Sequence, residues 1–388
     1  ERRRRIALDG QGEAGGGRCV RTERRAGSVS LKGGGGQCLN VVRNTVALEY
    51  QIRDGKLVWV KNPMTGVISY VVDVRAKSFA FALGAREPFD PTAADLGDEV
   101  IEGAVKACPF CPGNESHTTR EIFRLTASEV PEWTADPSRI GGGWVIRAFN
   151  NLFPRIPTDL TGNRNESYIV VEDPRHFIDG AHSTDDLMFS AELGEGHFQR
   201  LLVADVRVMK RAQSNPAVHS VMVRKNQGRE SGASQPHIHQ QIIAGPAPFP
   251  AVAAEVEAQR RNPKLFDEMI ELFERVGLMI EHGKKIVSYV SPVGVFPRSY
   301  DVVMPAYRGA LSDLAADDLR LFGHTMFKLL RVLGPLPLDY EIHEGEGLPL
   351  HAHINGRLYP YANVAGTLNL PETLLQSAAA IRRALERE

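Results

Sequence analysis

The sequence carries almost no net charge: 46 Lys and Arg against 47 Asp and Glu leave −1 over 388 residues. That balance argues against a polyanion or an anionic membrane surface as a general partner. No apolar run reaches the ~18 residues of a membrane span. The start, Glu1-Arg2-Arg3-Arg4-Arg5, lacks the apolar centre of a secretory leader. Neither nucleic acid nor membrane is therefore expected as a partner. Four cysteines are too few to staple a chain of this length, so a reducing, cytoplasmic setting is the expectation. The length suffices for one large or two medium domains with a real core.

What is present is unevenly spread. Residues 1–45 are rich in Arg and Gly, with runs at Gly15–Gly17 and Gly33–Gly36. Such a segment cannot bury a core and reads as a disordered tail. Cys19 and Cys38 fall in it and receive no role. From Tyr50 the pattern becomes globular. Strand-like runs occur at Val58–Val60, Ser69–Val74, Gly143–Phe149, Tyr168–Val171, Ser220–Lys225, Ile238–Ala244, Ile286–Val290, Asp301–Met304 and Leu350–Ile354. Helical spacing appears at 197–213, 251–278, 313–333 and 371–386. Leu319, Phe322, Met326, Leu330 and Leu333 form one apolar stripe, with Ser312 as the expected N-cap and Gly334-Pro335 as the stop.

The chain is organised around Ser231-Gly232-Ala233-Ser234-Gln235-Pro236-His237-Ile238-His239-Gln240-Gln241. On a strand, His237 and His239 point to one face. One imidazole can then be fixed by a metal while the other stays free as a nucleophile. A histidine attacking phosphorus needs a neutral ring, a fixed tautomer, N–H or hydroxyl groups for the phosphate oxygens, and an uncharged donor beside it. Ser234, the backbone at Gly232 and the Gln241 amide can meet the last two needs. The plainer reading is a strand with two ordinary histidines.

An internal repeat supports a paired architecture. Phe153-Pro154-Arg155 precedes the strand Ser167–Val171, a helix, a strand and His237-x-His239. Phe296-Pro297-Arg298 precedes Ser299–Val303, a helix, a strand and His351-x-His353. The expected fold class is α+β, with two related halves, each an antiparallel sheet with packed helices. They span 46–250 and 280–388, joined by a linking helix over 251–279.

Cys108-x-x-Cys111 is half of a tetrahedral zinc site. With no second pair of this kind, the remaining ligands are histidines or carboxylates. His237 is the best third ligand, and His176 the choice for the fourth, with His182 as competitor. A thiol–disulfide motif is the other reading of the cysteine pair. His343, His351 and His353 form a second cluster, and Glu255 is a fourth candidate. Three imidazoles and a carboxylate suit a second zinc or a ferrous ion. The alternative is a hydrogen-bonded histidine cluster without metal.

With these pieces placed, the chain resembles the galactose-1-phosphate uridylyltransferase family of the histidine-triad superfamily, from about Val58 to Leu370. Asn62-Pro63-Met64-Thr65-Gly66, Val74-Arg75-Ala76-Lys77, Cys108-Pro109-Phe110-Cys111, Phe149-Asn150-Asn151-Leu152-Phe153-Pro154 and Asn226-Gln227-Gly228 are similar to family segments in the same order. The family's active strand reads His-Pro-His-Gly-Gln, against His237-Ile238-His239-Gln240-Gln241 here. The resemblance implies His237 as a zinc ligand, His239 as nucleophile and Gln241 as the stabilising amide. It implies Ser234 at the transferred phosphate, Arg75 and Asn226 at the diphosphate, and Asn150 and Asn151 by the base and ribose. It also implies Glu255, His343, His351 and His353 as the second metal site, and a homodimer.

Two departures stand out. Ser78 replaces the family's second arginine after Arg75. Thr367 and Leu368 follow Gly366, where the family places an aromatic and an acid that hold the hexose hydroxyls. The resemblance implies a divergent nucleotidyltransferase of galactose-type sugar metabolism. It would move a nucleoside monophosphate from a nucleoside-diphosphate sugar such as a UDP-sugar to a sugar 1-phosphate, through a nucleotidyl-histidine. Two other readings stand beside it: a nucleoside-diphosphate-sugar phosphorylase using inorganic phosphate, and a catalytically silent zinc-containing nucleotide-binding protein.

Overall fold

The computed structural model describes residues 47–72, 98–131, 143–156 and 164–387, except 182, 184, 185, 295, 297, 358–362, 365 and 366. Arg75, Ser78, His182, Gly366 and the expected tail over 1–45 lie outside the described residues. A small mixed sheet comprises β1 (Tyr50–Arg53), β2 (Lys56–Lys61), β3 (Ile68–Val72), β14 (Asn363–Val364) and β15 (Thr367–Pro371), in the order β1-β2-β3-β15-β14. β15 runs parallel to β3, and the other pairings are antiparallel. Helix α1 (Asp98–Ala107) leads into the Cys108–Cys111 turn.

The main sheet has ten antiparallel strands. The first five are β4 (Glu121–Leu125), β5 (Ile146–Asn150), β6 (Glu166–Val171), β7 (Ser220–Gln227) and β8 (His239–Gly245). The second five are β9 (Met279–His282), β10 (Val287–Val290), β11 (Arg298–Met304), β12 (Leu338–His343) and β13 (Leu350–Gly356). Their order is β4-β5-β6-β8-β7-β12-β13-β11-β10-β9. Reading inward from either edge gives the same sequence of roles, so β6 corresponds to β11, β8 to β13 and β7 to β12. The two sets meet where β7 pairs with β12, with Arg224 opposite Glu341. The strands of each half thus merge into one continuous sheet.

Central strands covered on both faces read as continuous apolar runs rather than alternating ones. β11 is buried at every position, and Tyr168 to Val171 of β6 are buried throughout. Helices α2 (Glu195–Gln213) and α5 (Ala316–Leu333) cover one face and pack on each other through Phe198 and Phe327, ring centroids 5.7 Å apart. Gly323 lies at their crossing, where a Cβ would come 2.6 Å from Leu202 Cδ1 and would move that side chain. The expected stripe on α5 is buried in full. On the other face lie the cysteine turn and helices α3 (Pro250–Arg261) and α4 (Leu265–Arg275); α6 (Glu372–Leu385) packs near β9 and β10.

Three local expectations change. The linking helix over 251–279 is two helices and the start of β9, because Pro263 lacks the N–H that an unbroken helix needs. Ser312 does not cap α5. It lies in a short 3-10 turn with Oγ 3.3 Å from Gln213 Oε1, and the helix starts after Ala315. Strands β1, β4 and β9 also join the sheets at their edges, and β15 lies between β3 and β14. Among the described residues, no helix is long and apolar enough to cross a membrane.

Candidate functional site

Strand β8 alternates its side chains between two chemically different faces. Gln240 points toward the helices, where its Nε2 donates to Asp205 Oδ1 at 2.5 Å and its Oε1 accepts from Tyr340 Oη at 2.6 Å. Beneath the same strand, the buried Lys225 ammonium is paired with Glu172, and His197 Nε2 lies 2.6 Å from the Glu172 carbonyl. Sequence reading missed this network, since each member looks like an ordinary polar residue in an apolar strand or helix. Lys225 and Gln240 interrupting apolar strands were the available signal.

His239 and Gln241 point the other way. The His239 Nδ1 lies 2.8 Å from the His237 carbonyl oxygen. A carbonyl only accepts, so Nδ1 carries the proton and Nε2 keeps its lone pair. Burial pulls the ring's pKa down to about 4, so the ring is neutral near pH 7. Phe110 from the cysteine turn stands edge-on to the ring, centroids 5.3 Å apart, and Phe110 also meets Phe149 at 5.4 Å. A second small core of Cys108, Phe110, Cys111, Trp144, Phe149, Ile169 and Val171 holds this wall. Phe110 is a site residue the motif reading passed over as filler between two cysteines.

Gln241 is opposite Ile169 on β6 and Arg224 on β7. Its buried Oε1 has no partner, so the amide is uncommitted. The β7–β8 register, continued one residue beyond Lys225 and Gln240, sets Asn226 beside His239. Asn226 Nδ2 donates to the Ser231 carbonyl and its Oδ1 accepts from Arg224 Nε at 3.3 Å. Gly232, with φ +86°, turns the chain between Asn226 and the exposed Ser234. Asn150 ends β5 in an exposed position. Asn151 has Nδ2 3.3 Å from Ser167 Oγ, and its Oδ1 accepts from the Phe153 N–H at 3.0 Å. That bond fixes the turn and leaves Leu152 and Phe153 exposed.

Cys108, Cys111, His176 and His237 come together, all buried, with their ligand atoms within 4.8 Å of one another. Cys111 Sγ lies 3.3 Å from His176 Nδ1 and 3.4 Å from His237 Nδ1, and Cys108 Sγ 3.6 Å from His237 Nδ1. His237 Nε2 donates to the Asp173 carbonyl at 2.8 Å, which leaves Nδ1 unprotonated toward the sulfurs. The two thiols compete for one negative charge. Hydrogen bonding from Cys111 brings Cys108 down to about 2, and the reciprocal bond to Cys108, with burial, pushes Cys111 up. A cation between them removes this conflict, so the donor set fits a tetrahedral divalent metal.

Glu255, His343, His351 and His353 form a second group within 4.8 Å. His343 Nδ1 lies 2.8 Å from Glu255 Oε2, and His353 Nε2 lies 3.1 Å from His351 Nε2 and 3.3 Å from Glu255 Oε1. Each ring turns its other nitrogen to an acceptor: His343 Nε2 to Glu341 at 3.2 Å, His351 Nδ1 to the Pro349 carbonyl at 2.8 Å, His353 Nδ1 to Asp301 at 2.6 Å. Outward anchoring of every imidazole is how ligand histidines are held. Burial opposes ionisation of Glu255, yet His343 and His351 hold its carboxyl well below the usual range.

The strand registers also correct the repeat. Aligning the strand segments Ser167–Val171 and Ser299–Val303 matches Val171 with Val303. Val171 pairs with His239, and Val303 pairs with His351. His239 therefore corresponds to His351, and Gln241 to His353, rather than His237 to His351. Both His239 and His351 hold Nδ1 at 2.8 Å from the carbonyl two residues earlier.

Comparison with known proteins agrees with this architecture. Residues 165–296 match a family described as a domain of unknown function, DUF4921. ADP-glucose phosphorylase of Arabidopsis thaliana is 24% identical over 266 residues, covering 61% of this chain and 67% of that protein. Its crystal structure with bound ADP-glucose superposes with a TM-score of 0.59 at 20% identity, over 84% of this chain and 98% of that one. A uridylyltransferase structure gives 0.54 at 21% identity over the same shares. With two antiparallel halves merged in one sheet, the chain shares the fold of these two structures.

Proposed function

We propose that the chain is a nucleotidyltransferase acting on a nucleoside-diphosphate sugar, with inorganic phosphate as acceptor. In the first step His239 Nε2 bonds to the α-phosphorus, and the bond from that phosphorus to the bridging oxygen breaks, releasing a sugar 1-phosphate. In the second, a phosphate oxygen bonds to the same phosphorus and the phosphorus–nitrogen bond breaks, releasing the nucleoside diphosphate. The Nδ1 proton stays on the ring throughout, held by the His237 carbonyl.

The observation that carries this reading is the neutral His239 ring with its Nε2 lone pair on the face shared by Gln241 and Asn226. The Gln241 amide can donate to a phosphate oxygen as charge develops, which is worth several kcal/mol for a well-placed donor. It cannot relay a proton as an acid would, so the nucleotidyl-histidine should survive until an acceptor arrives. The four-ligand cysteine–histidine site, holding zinc, would fix the start of β8 and so the direction of His239.

Inorganic phosphate as acceptor is supported by Leu368. In place of the acid that the resemblance puts against hexose hydroxyls, this leucine is buried in an apolar cluster with Leu370 and Leu374. A hydroxyl-binding carboxylate cannot simply be lost from a sugar acceptor site, because such specificity depends on paired polar groups. The sequence relative named ADP-glucose phosphorylase favours the same acceptor. The test is a matrix of ADP- and UDP-sugars against inorganic phosphate and sugar 1-phosphates. Turnover with phosphate is expected; turnover only with a sugar 1-phosphate would return the reading to uridylyltransferase-type exchange.

A further inference from the structure

The polar cluster behind β8 lies in a layer that is otherwise apolar. Across that face the register sets Val170, Gln240, Lys225, Tyr340 and Ile354 side by side. One step along, Ile242, Val223 and Ile342 fill the same face, all buried. Polar groups placed there lower stability unless every member is bonded. This cluster is not fully bonded: Glu172 Oε2 and Asp205 Oδ2 are buried without a partner. Well-packed apolar residues would serve the core as well or better, so stability does not account for it.

Gln240 is the member bonded at both ends. Asp205, on α2, accepts from Nε2 at 2.5 Å, and Tyr340, on β12, donates to Oε1 at 2.6 Å. Gln240 is also the last residue of β8 with strand partners on both sides. The β7–β8 ladder ends at Lys225 and Gln240, while β7 continues beside β12 as far as Gln227. His239, one residue earlier, keeps a ladder partner only in Val171 of β6. Strand pairing therefore holds the nucleophile along one edge alone, and the chain before it has just left the Gly232 turn. Successive side chains on a strand share one backbone, so a twist at residue 240 tilts His239 and Gln241 together.

We propose that Gln240, clamped between Asp205 and Tyr340, is a positioning residue that sets the His239 ring and the Gln241 amide against the phosphorus. Gln240 itself faces the helices and touches no substrate. The inference deepens the proposed function and rests on it. The His-Pro-His-Gly-Gln strand of the family that the sequence resembles has glycine at this place and no side chain to clamp, so the device belongs to this chain.

The test separates position from stability in the full chain. Gln240→Met and Tyr340→Phe each break the clamp but strand a buried polar group, so each should also lower the denaturation midpoint. The triple variant Gln240→Met, Tyr340→Phe, Asp205→Ala removes every polar group of the clamp and strands none of them. Its midpoint should return toward wild type. Its rate of labelling from a saturating ³²P-labelled sugar nucleotide should stay about 100-fold down, the scale of a small misplacement of reacting groups, with KM little changed. A second readout needs no turnover: the His239 Nδ1 proton, held by the His237 carbonyl, gives a resonance in the ¹⁵N-histidine-labelled protein, assigned by its loss in His239→Gly. That resonance should broaden or vanish in the triple variant. A wild-type labelling rate or an unchanged resonance in the triple variant would overturn the inference. Wild-type protein that takes no label, while its resonance still responds to the triple substitution, would count against the transfer reaction and support the clamp.

Discussion

Arg224 and Glu341 face each other where β7 meets β12, with Nη1 3.0 Å from Oε1. They are the point about which the two halves of the sheet correspond. Glu341 also accepts from His343 Nε2 at 3.2 Å. The pair is about a quarter to a third exposed, so its direct contribution to stability is small, on the order of 1 kcal/mol or less. Its larger effect is on the metal-type group. Glu341→Gln should weaken divalent-cation binding at that site about 10- to 100-fold, the usual cost of losing an outer partner of a ligand histidine. Chelator competition measures it.

Lys225 and Glu172 are an ion pair with no solvent contact, beneath the strand that bears His239. Removing one partner strands the other charge in the interior. Lys225→Met should therefore cost about 3–5 kcal/mol in chemical denaturation. The double variant Lys225→Met with Glu172→Leu should recover most of that loss.

Asp205 lies wholly buried, with Oδ1 accepting from Gln240 Nε2 and Oδ2 without a partner. Burial raises its pKa well above the ordinary 3.8. The folded chain thus holds this proton more tightly than the unfolded chain does. The favourable contribution is complete below about 3.8 and is lost as pH rises through the folded value. Asp205→Asn keeps an acceptor for Gln240 and removes the titration. The stability difference should move in favour of the variant as pH is raised, as read from denaturation midpoints across a pH series.

Cys111→Ser removes the sulfur that lies near both His176 and His237. Elemental analysis should show loss of the metal from that site with the histidine–glutamate site still loadable. Nucleotidyl transfer should fall with it, because His237 Nδ1 loses its anchor and the start of β8 its brace.

Much of this architecture is legible in the sequence. Cys108-x-x-Cys111, His237-x-His239 and His351-x-His353 each carry a local spacing that implies a shared face or a shared ion. The apolar runs at 168–171 and 302–304 announce central strands. What could not be read are relations set by pairing register. His239 corresponds to His351 because Val171 and Val303 lie opposite them, and no local pattern encodes that offset. Apolar periodicity on both sides of Pro263 masks the split of the 251–279 segment. The contact of Tyr340 with Gln240 joins residues 100 positions apart and is a product of the fold alone.

In the proposed reaction, His239 Nε2 is the atom that carries the nucleotide. Incubation with ADP-glucose, and separately UDP-glucose, labelled with ³²P at the phosphorus next to the nucleoside tests this without any acceptor present. One of the two should leave an acid-labile, base-stable label that peptide mapping places on His239, with release of a sugar 1-phosphate and no label on His239→Gly. Label that persists in His239→Gly, or turnover of either sugar nucleotide by a wild-type protein that never becomes labelled, would contradict it.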